Sequence, residues 1–215
     1  MRVHQTIAAV VILGGALSGQ AAAQRSTSFG LLGGAAFSRL SGADATTGEF
    51  DFTKSKLGLT AGGFVSLGLG PNFAIQPEVF FVQKGAKAKP TGGTVKFRLG
   101  YVEVPVLAKL IIPAKGSGIQ LSPHFYGGPA IAFKTSCSIS GSDGSTTVTG
   151  KCDANNVRIK STDLSVLFGA GVDIGRFMIE VRYDLGLSKI DDSGEDLDAK
   201  NRTLYVLGGW KIRTP

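Results

Sequence analysis

Phe177-Met178-Ile179-Glu180-Val181-Arg182-Tyr183-Asp184-Leu185-Gly186-Leu187 is the stretch that decides the fold. Its odd positions, Phe177, Ile179, Val181, Tyr183, Leu185 and Leu187, are apolar, and its even positions include Glu180, Arg182 and Asp184. A side-chain period of two places these sets on opposite faces of a sheet. A half-buried strand of a soluble sandwich has the same parity. The deciding question is which face turns toward a closed interior.

Composition narrows the choice. The chain has 215 residues, enough for one β-domain of ordinary size. Glycine is abundant at 31 residues, phenylalanine is frequent at 13, and only 18% of residues are charged. Mean hydropathy is positive, as expected where apolar side chains face lipid. A net charge of +7 raises the question of nucleic acid. The Lys and Arg residues are scattered over strand ends and loops, without a basic helix or aromatic-interleaved cluster, which argues against nucleic acid as a partner.

Residues 1–23 read as an export signal. Arg2 supplies the positive start, residues 7–17 an apolar run, and Ala21-Ala22-Ala23 a small-residue cleavage motif. The run is short of the roughly 20 residues that a spanning helix needs. Residues 24–215 are then one domain, and a membrane location for it requires a closed barrel. Cys137 and Cys152 both follow the signal and flank a stretch rich in Gly, Ser and Thr. Neither has a His or acidic partner at a spacing suited to metal binding or catalysis. A structural loop disulfide, worth roughly 3 kcal/mol in the simple loop model, is expected.

Eight strands are predicted, near 28–38, 56–68, 73–86, 95–112, 120–134, 162–174, 177–187 and 202–213. In the third, Phe73, Ile75, Val79 and Phe81 oppose Gln76, Glu78 and Lys84. In the fourth, Val102, Val104, Val106, Ala108 and Leu110 oppose Glu103 and Lys109. The sixth sets Leu164, Val166, Phe168, Ala170, Val172 and Ile174 against Ser165 and Asp173. Gly and Ala blur the alternation of the first and fifth.

The connections alternate in length. Long polar segments, 39–55, 87–94, 135–161 and 188–201, follow the odd strands; short turns such as Gly70-Pro71-Asn72 and Gly175-Arg176 follow the even ones. In an up-and-down meander all odd connections lie at one end. Short inner turns and long outer loops are the pattern of bacterial outer-membrane barrels. These features predict an all-β chain folded as an eight-stranded antiparallel up-and-down transmembrane β-barrel.

Glu78, Glu103, Lys109, Asp173, Glu180, Arg182 and Asp184 all fall on the non-apolar parity. Facing lipid, an Arg or Lys near the midplane costs about 2–4 kcal/mol. Inside an eight-strand barrel the charges pair in a lumen wide enough for side chains and too narrow for an aqueous channel. A polar lumen network that plugs the barrel is therefore expected. Phe73, Phe81, Phe125, Phe133, Phe177, Tyr183 and Trp210 fall near strand ends as an interfacial girdle would, while Tyr101 has lumen parity.

Several segments resemble a known family. Ile75-Gln76-Pro77-Glu78-Val79-Phe80-Phe81-Val82-Gln83-Lys84-Gly85 is similar to a recurrent segment of the outer-membrane protein β-barrel domain family, in its PorT-like group. Tyr101 to Lys109, His124 to Pro129, Gly169 to Asp173 and Glu180 to Leu187 follow in the family's order, so the resemblance covers nearly the whole mature chain. It implies an eight-stranded barrel in the outer membrane of a Gram-negative bacterium, with lipid and the barrel-assembly machinery as partners. Many such barrels end on an aromatic residue, whereas this chain ends Trp210-Lys211-Ile212-Arg213-Thr214-Pro215.

No catalytic, cofactor or metal site emerges. His124 has no Ser or Cys partner placed beside it, and the acidic stretch Asp191 to Asp198 departs from the EF-hand spacing and reads as a solvated outer loop. Lys84, Lys87, Lys89, Lys96 and Arg98 flank the second outer loop, where lipopolysaccharide phosphates are candidate contacts. A structural or interaction role in the cell envelope is expected: adhesion, envelope assembly or secretion. The alternatives are a narrow porin-like channel for ions or small solutes, and a soluble ligand-binding barrel.

Overall fold

The computed structural model describes residues 27–47, 50–113, 121–152, 154, 159–190 and 198–213. The expected export signal, residues 1–23, and residues 191–197 of the acidic loop lie outside them. Eight long strands form the wall: β1 (Thr27–Ser41), β2 (Lys54–Gly68), β3 (Phe73–Ala88), β4 (Thr94–Ile111), β5 (Leu121–Ser142), β6 (Thr162–Ile174), β7 (Phe177–Gly186) and β8 (Lys200–Arg213). Each pairs antiparallel with its sequence neighbours, and β1 pairs with β8 from Ser28↔Arg213 to Ser41↔Lys200. The sheet is thus a closed ring, which leaves none of the eight as a free edge.

The alternation read from the sequence sorts the residues between wall faces. On β7, Phe177, Ile179 and Val181 are exposed, while Met178, Glu180, Arg182 and Asp184 are buried. On β4, Val106, Ala108 and Leu110 lie outside, and Tyr101, Glu103, Leu107 and Lys109 inside. Leu31, Leu57 and Leu59 are each more than 60% exposed on the outer face. An apolar surface that runs around the whole ring has a physical explanation in lipid and none in water.

The connections keep their asymmetry except around β4, where five residues separate β3 from β4 and nine separate β4 from β5. Gly175-Arg176 closes β6–β7 as a two-residue hairpin, with Gly175 at φ 62°, a conformation that glycine adopts freely. The largest difference from the sequence reading is in β5, which continues past residue 134 to Ser142 and pairs with a further short strand, Thr147–Lys151. Ser and Thr carry this extension instead of apolar residues, so alternating hydropathy does not mark it. Cys137 and Cys152 are disulfide-bonded at the base of this hairpin, with Cα atoms 5.5 Å apart.

Candidate functional site

The lumen holds the densest chemistry in the molecule. Glu78 comes from β3, Glu103 and Lys109 from β4, Asp173 from β6, and Glu180, Arg182 and Asp184 from β7. All seven side chains point inward, and the most exposed, Asp173, reaches only 7%. Period-two geometry delivers them there, because each shares its strand parity with other buried residues.

Arg182 organises the half of the lumen nearer the short turns. Its two amino groups donate to Glu78 at 2.6 and 3.3 Å, one also donates to Glu180 at 2.5 Å, and Nε donates to the Tyr126 hydroxyl at 3.2 Å. Tyr126 donates in turn to Glu180 at 3.1 Å, and Gln76 donates to Glu78 at 2.8 Å. Lys109 Nζ lies 3.5 Å from Glu180, and His124 Nε2 lies 3.1 Å from the same oxygen. His124 Nδ1 faces Asp173 at 3.6 Å, and Asp173 also pairs with Lys211.

A second group sits nearer the long loops. Lys84 Nζ lies 2.6 Å from Glu103 and 2.5 Å from Asp184, and 5.6 Å from the centre of the Tyr101 ring. Asn201 donates to Asp163 at 2.7 Å, as does Ser188. Lys84 is fully buried, which corrects its grouping with the outer-rim lysines in the sequence reading. Its parity with Gln76 and Glu78 already pointed inward. At the outer end, Leu40, Ala45, Ala86, Ile190 and Ala199 form a small apolar cluster with Phe52 and Ile159 packed against it.

Ring order gives these contacts their meaning. β3 and β7 are four strands apart in either direction round the ring, and so are β4 and β8. Glu78–Arg182 and Lys84–Asp184 therefore cross the full diameter, as does the longer Tyr205–Glu103 contact of 3.5 Å. The charges do not balance among the described residues: Glu78, Glu103, Asp163, Asp173, Glu180 and Asp184 outnumber Lys84, Lys109, Arg182 and Lys211. One oxygen each of Glu103, Asp173 and Asp184 accepts no hydrogen bond. His124, Tyr126 and Lys84 were absent from the sequence-derived network; for His124 and Tyr126 the blurred alternation of β5 hid a parity that is otherwise regular.

A family model described as outer membrane protein beta-barrel domain matches residues 20–192. The chain belongs to this family. Its place is the outer membrane, where a ring with an apolar outside and a charged inside is stable. Among solved structures, the chain is similar to Ail, the attachment invasion locus protein of Yersinia pestis, at 14% identity over 86% of this chain and 98% of that one, with a TM-score of 0.42. OprG of Pseudomonas aeruginosa is 10% identical over 88% of this chain and 98% of that one, with a TM-score of 0.43. Neisserial surface protein A is 14% identical over 86% and 97%, with a TM-score of 0.42. A comparison with curated proteins finds no match.

Proposed function

We propose that the lumen is a plug and that the protein works through its outer loops, in a structural or interaction role in the envelope: adhesion, envelope assembly or secretion. The observation that carries this reading is the pair of buried ion pairs, Glu78–Arg182 and Lys84–Asp184, each spanning the ring from wall to opposite wall. An aqueous path along the axis must displace both. The partners in this reading are outer-membrane lipid, the barrel-assembly machinery during insertion, and a ligand met at the cell surface.

A second reading, a narrow cation-selective path, is favoured by the excess of carboxylates and their unmatched oxygens. Planar-bilayer recording separates the two. The plug reading expects no stable conductance from the folded wild type. A steady wild-type channel whose current disappears in Arg182→Ala would overturn it.

A further inference from the structure

One hollow on the outside of the wall is unused by the lumen chemistry. It lies across β2, β3, β4 and β5 at the end that carries the long loops, encloses about 500 Å3, and is lined by Lys56, Lys87, Lys96 and Arg98 together with Leu57 and Phe81. Lys87 stands directly opposite Lys96 in the β3–β4 register, and Arg98 stands opposite Gly85. Like charges facing each other across a ladder repel. The lining holds no carboxylate, and none of these four cations has an ion-pair partner among the described residues.

Gly100 lines the hollow, and Gly85 lies against the Lys56 side chain that borders it. A Cβ at Gly85, where φ is 141°, would meet Phe97 O at 2.1 Å and Lys56 Cδ at 3.3 Å. A Cβ at Gly100 would meet Ser136 Oγ at 2.5 Å and Phe81 Cε2 at 3.3 Å. Ser136 and Ser138 add hydroxyl groups to the lining. Leu57 and Phe81 are 62% and 42% exposed, and Phe81 lies nearer the membrane interior along β3 than Lys87 does. The hollow is thus cationic toward the cell surface and apolar toward the hydrocarbon.

An anion that carries its own acyl chains matches both halves. We propose that this hollow binds the phosphorylated sugar headgroup of an outer-leaflet glycolipid. Its phosphate sits among Lys87, Lys96 and Arg98 as a charge-assisted acceptor, and an acyl chain lies on Leu57 and Phe81. The proposal rests on the outer-membrane location alone and stands or falls independently of the lumen plug.

The test is lipid retention by the folded, detergent-solubilised full chain, read by native mass spectrometry. The probes are diphosphorylated lipid A, its dephosphorylated form and phosphatidylglycerol. Diphosphorylated lipid A should be retained at least about tenfold better than either competitor, the scale of one or two charge-assisted contacts. The variant K96Q/R98Q should lose that preference, and Lys89→Gln, outside the hollow, should keep it. Heat-modifiable gel mobility reports that each variant is folded. Equal retention of the three lipids by the wild type, a preference that survives K96Q/R98Q, or an equal loss in Lys89→Gln each overturns the proposal.

Discussion

Arg182 on β7 grips Glu78 on β3 with both amino groups, at 2.6 and 3.3 Å, although these strands lie on opposite sides of the ring. The guanidinium also holds Glu180 and Tyr126, so one side chain ties three strands of the wall together. Breaking a buried pair from one side leaves an uncompensated charge, which typically costs about 3–5 kcal/mol. Arg182→Met should destabilise the vesicle-embedded barrel by that amount in urea titrations read by gel mobility. The double variant with Glu78→Gln should lose less than the sum of the two single losses. Strict additivity would show that the pair is not coupled.

Lys84 serves two carboxylates at once, Glu103 and Asp184. Removing the cation strands two anions, whereas neutralising one anion leaves the other paired. Lys84→Met should therefore cost more stability than Glu103→Gln under the same titration. The reverse order would contradict the shared-cation geometry.

Val181 is 48% exposed on the outer face of β7, amid the apolar band. Arg at a lipid-facing midplane position costs about 2–4 kcal/mol, falling to about 0–1 near an interface. Val181→Arg should destabilise far more than Leu187→Arg, which falls just beyond the strand end. Equal effects in vesicle refolding would mean that the hydrocarbon band does not lie where the outward parity puts it.

The hairpin that the end of β5 forms with Thr147–Lys151 turns on Asp143, whose carboxylate accepts from the Thr146 N–H at 2.6 Å and from the Ser145 N–H and hydroxyl at 2.9 Å each. These bonds, that from Thr146 first, hold its carboxyl below the usual carboxylate range. A lowered carboxylate contributes order that is fully present above its ordinary pKa of about 3.9 and is lost as pH falls through the lower folded value. The amide signals of Ser145 and Thr146 should hold their positions until the pH drops below about 3.9. A titration midpoint at or above that value would sink the prediction.

Reduction of Cys137–Cys152 should act on the same hairpin and spare the wall. Limited proteolysis should then cut residues 143–161 faster, with heat-modifiable mobility unchanged. Loss of that mobility would mean that the bridge supports the ring itself.

The wall was legible wherever alternation is strict. On β7, and on β4 from Val102 to Leu110, every second residue is apolar, and a period of two leaves one possible assignment of faces once lipid is the solvent. It was less legible where small residues stand on both faces, as in β5, so His124 and Tyr126 were passed over. The extension to Ser142 is written in Ser and Thr, which fit a solvated hairpin and an irregular loop equally well. Apolar identity also does not by itself mean lipid-facing: Phe80, Val82, Leu107 and Leu167 are all buried. Partners within the lumen lay beyond reading altogether. Lys84 and Asp184 are 100 positions apart in the chain, and only closure of the ring brings them together.

That separation bears on how the barrel is made. The diametric contacts join residues 104, 100 and 102 positions apart, so the first four strands carry one member of each pair and the last four carry the other. A half-inserted chain would hold the Lys84–Glu103 pair but would present Glu78 to the bilayer without Arg182, and Lys84 without its second carboxylate, Asp184. Glu78 finds its cation only in the second half of the polypeptide, and a buried charge left unpaired makes partial insertion costly. The interior is therefore complete only when both halves of the chain stand in the wall.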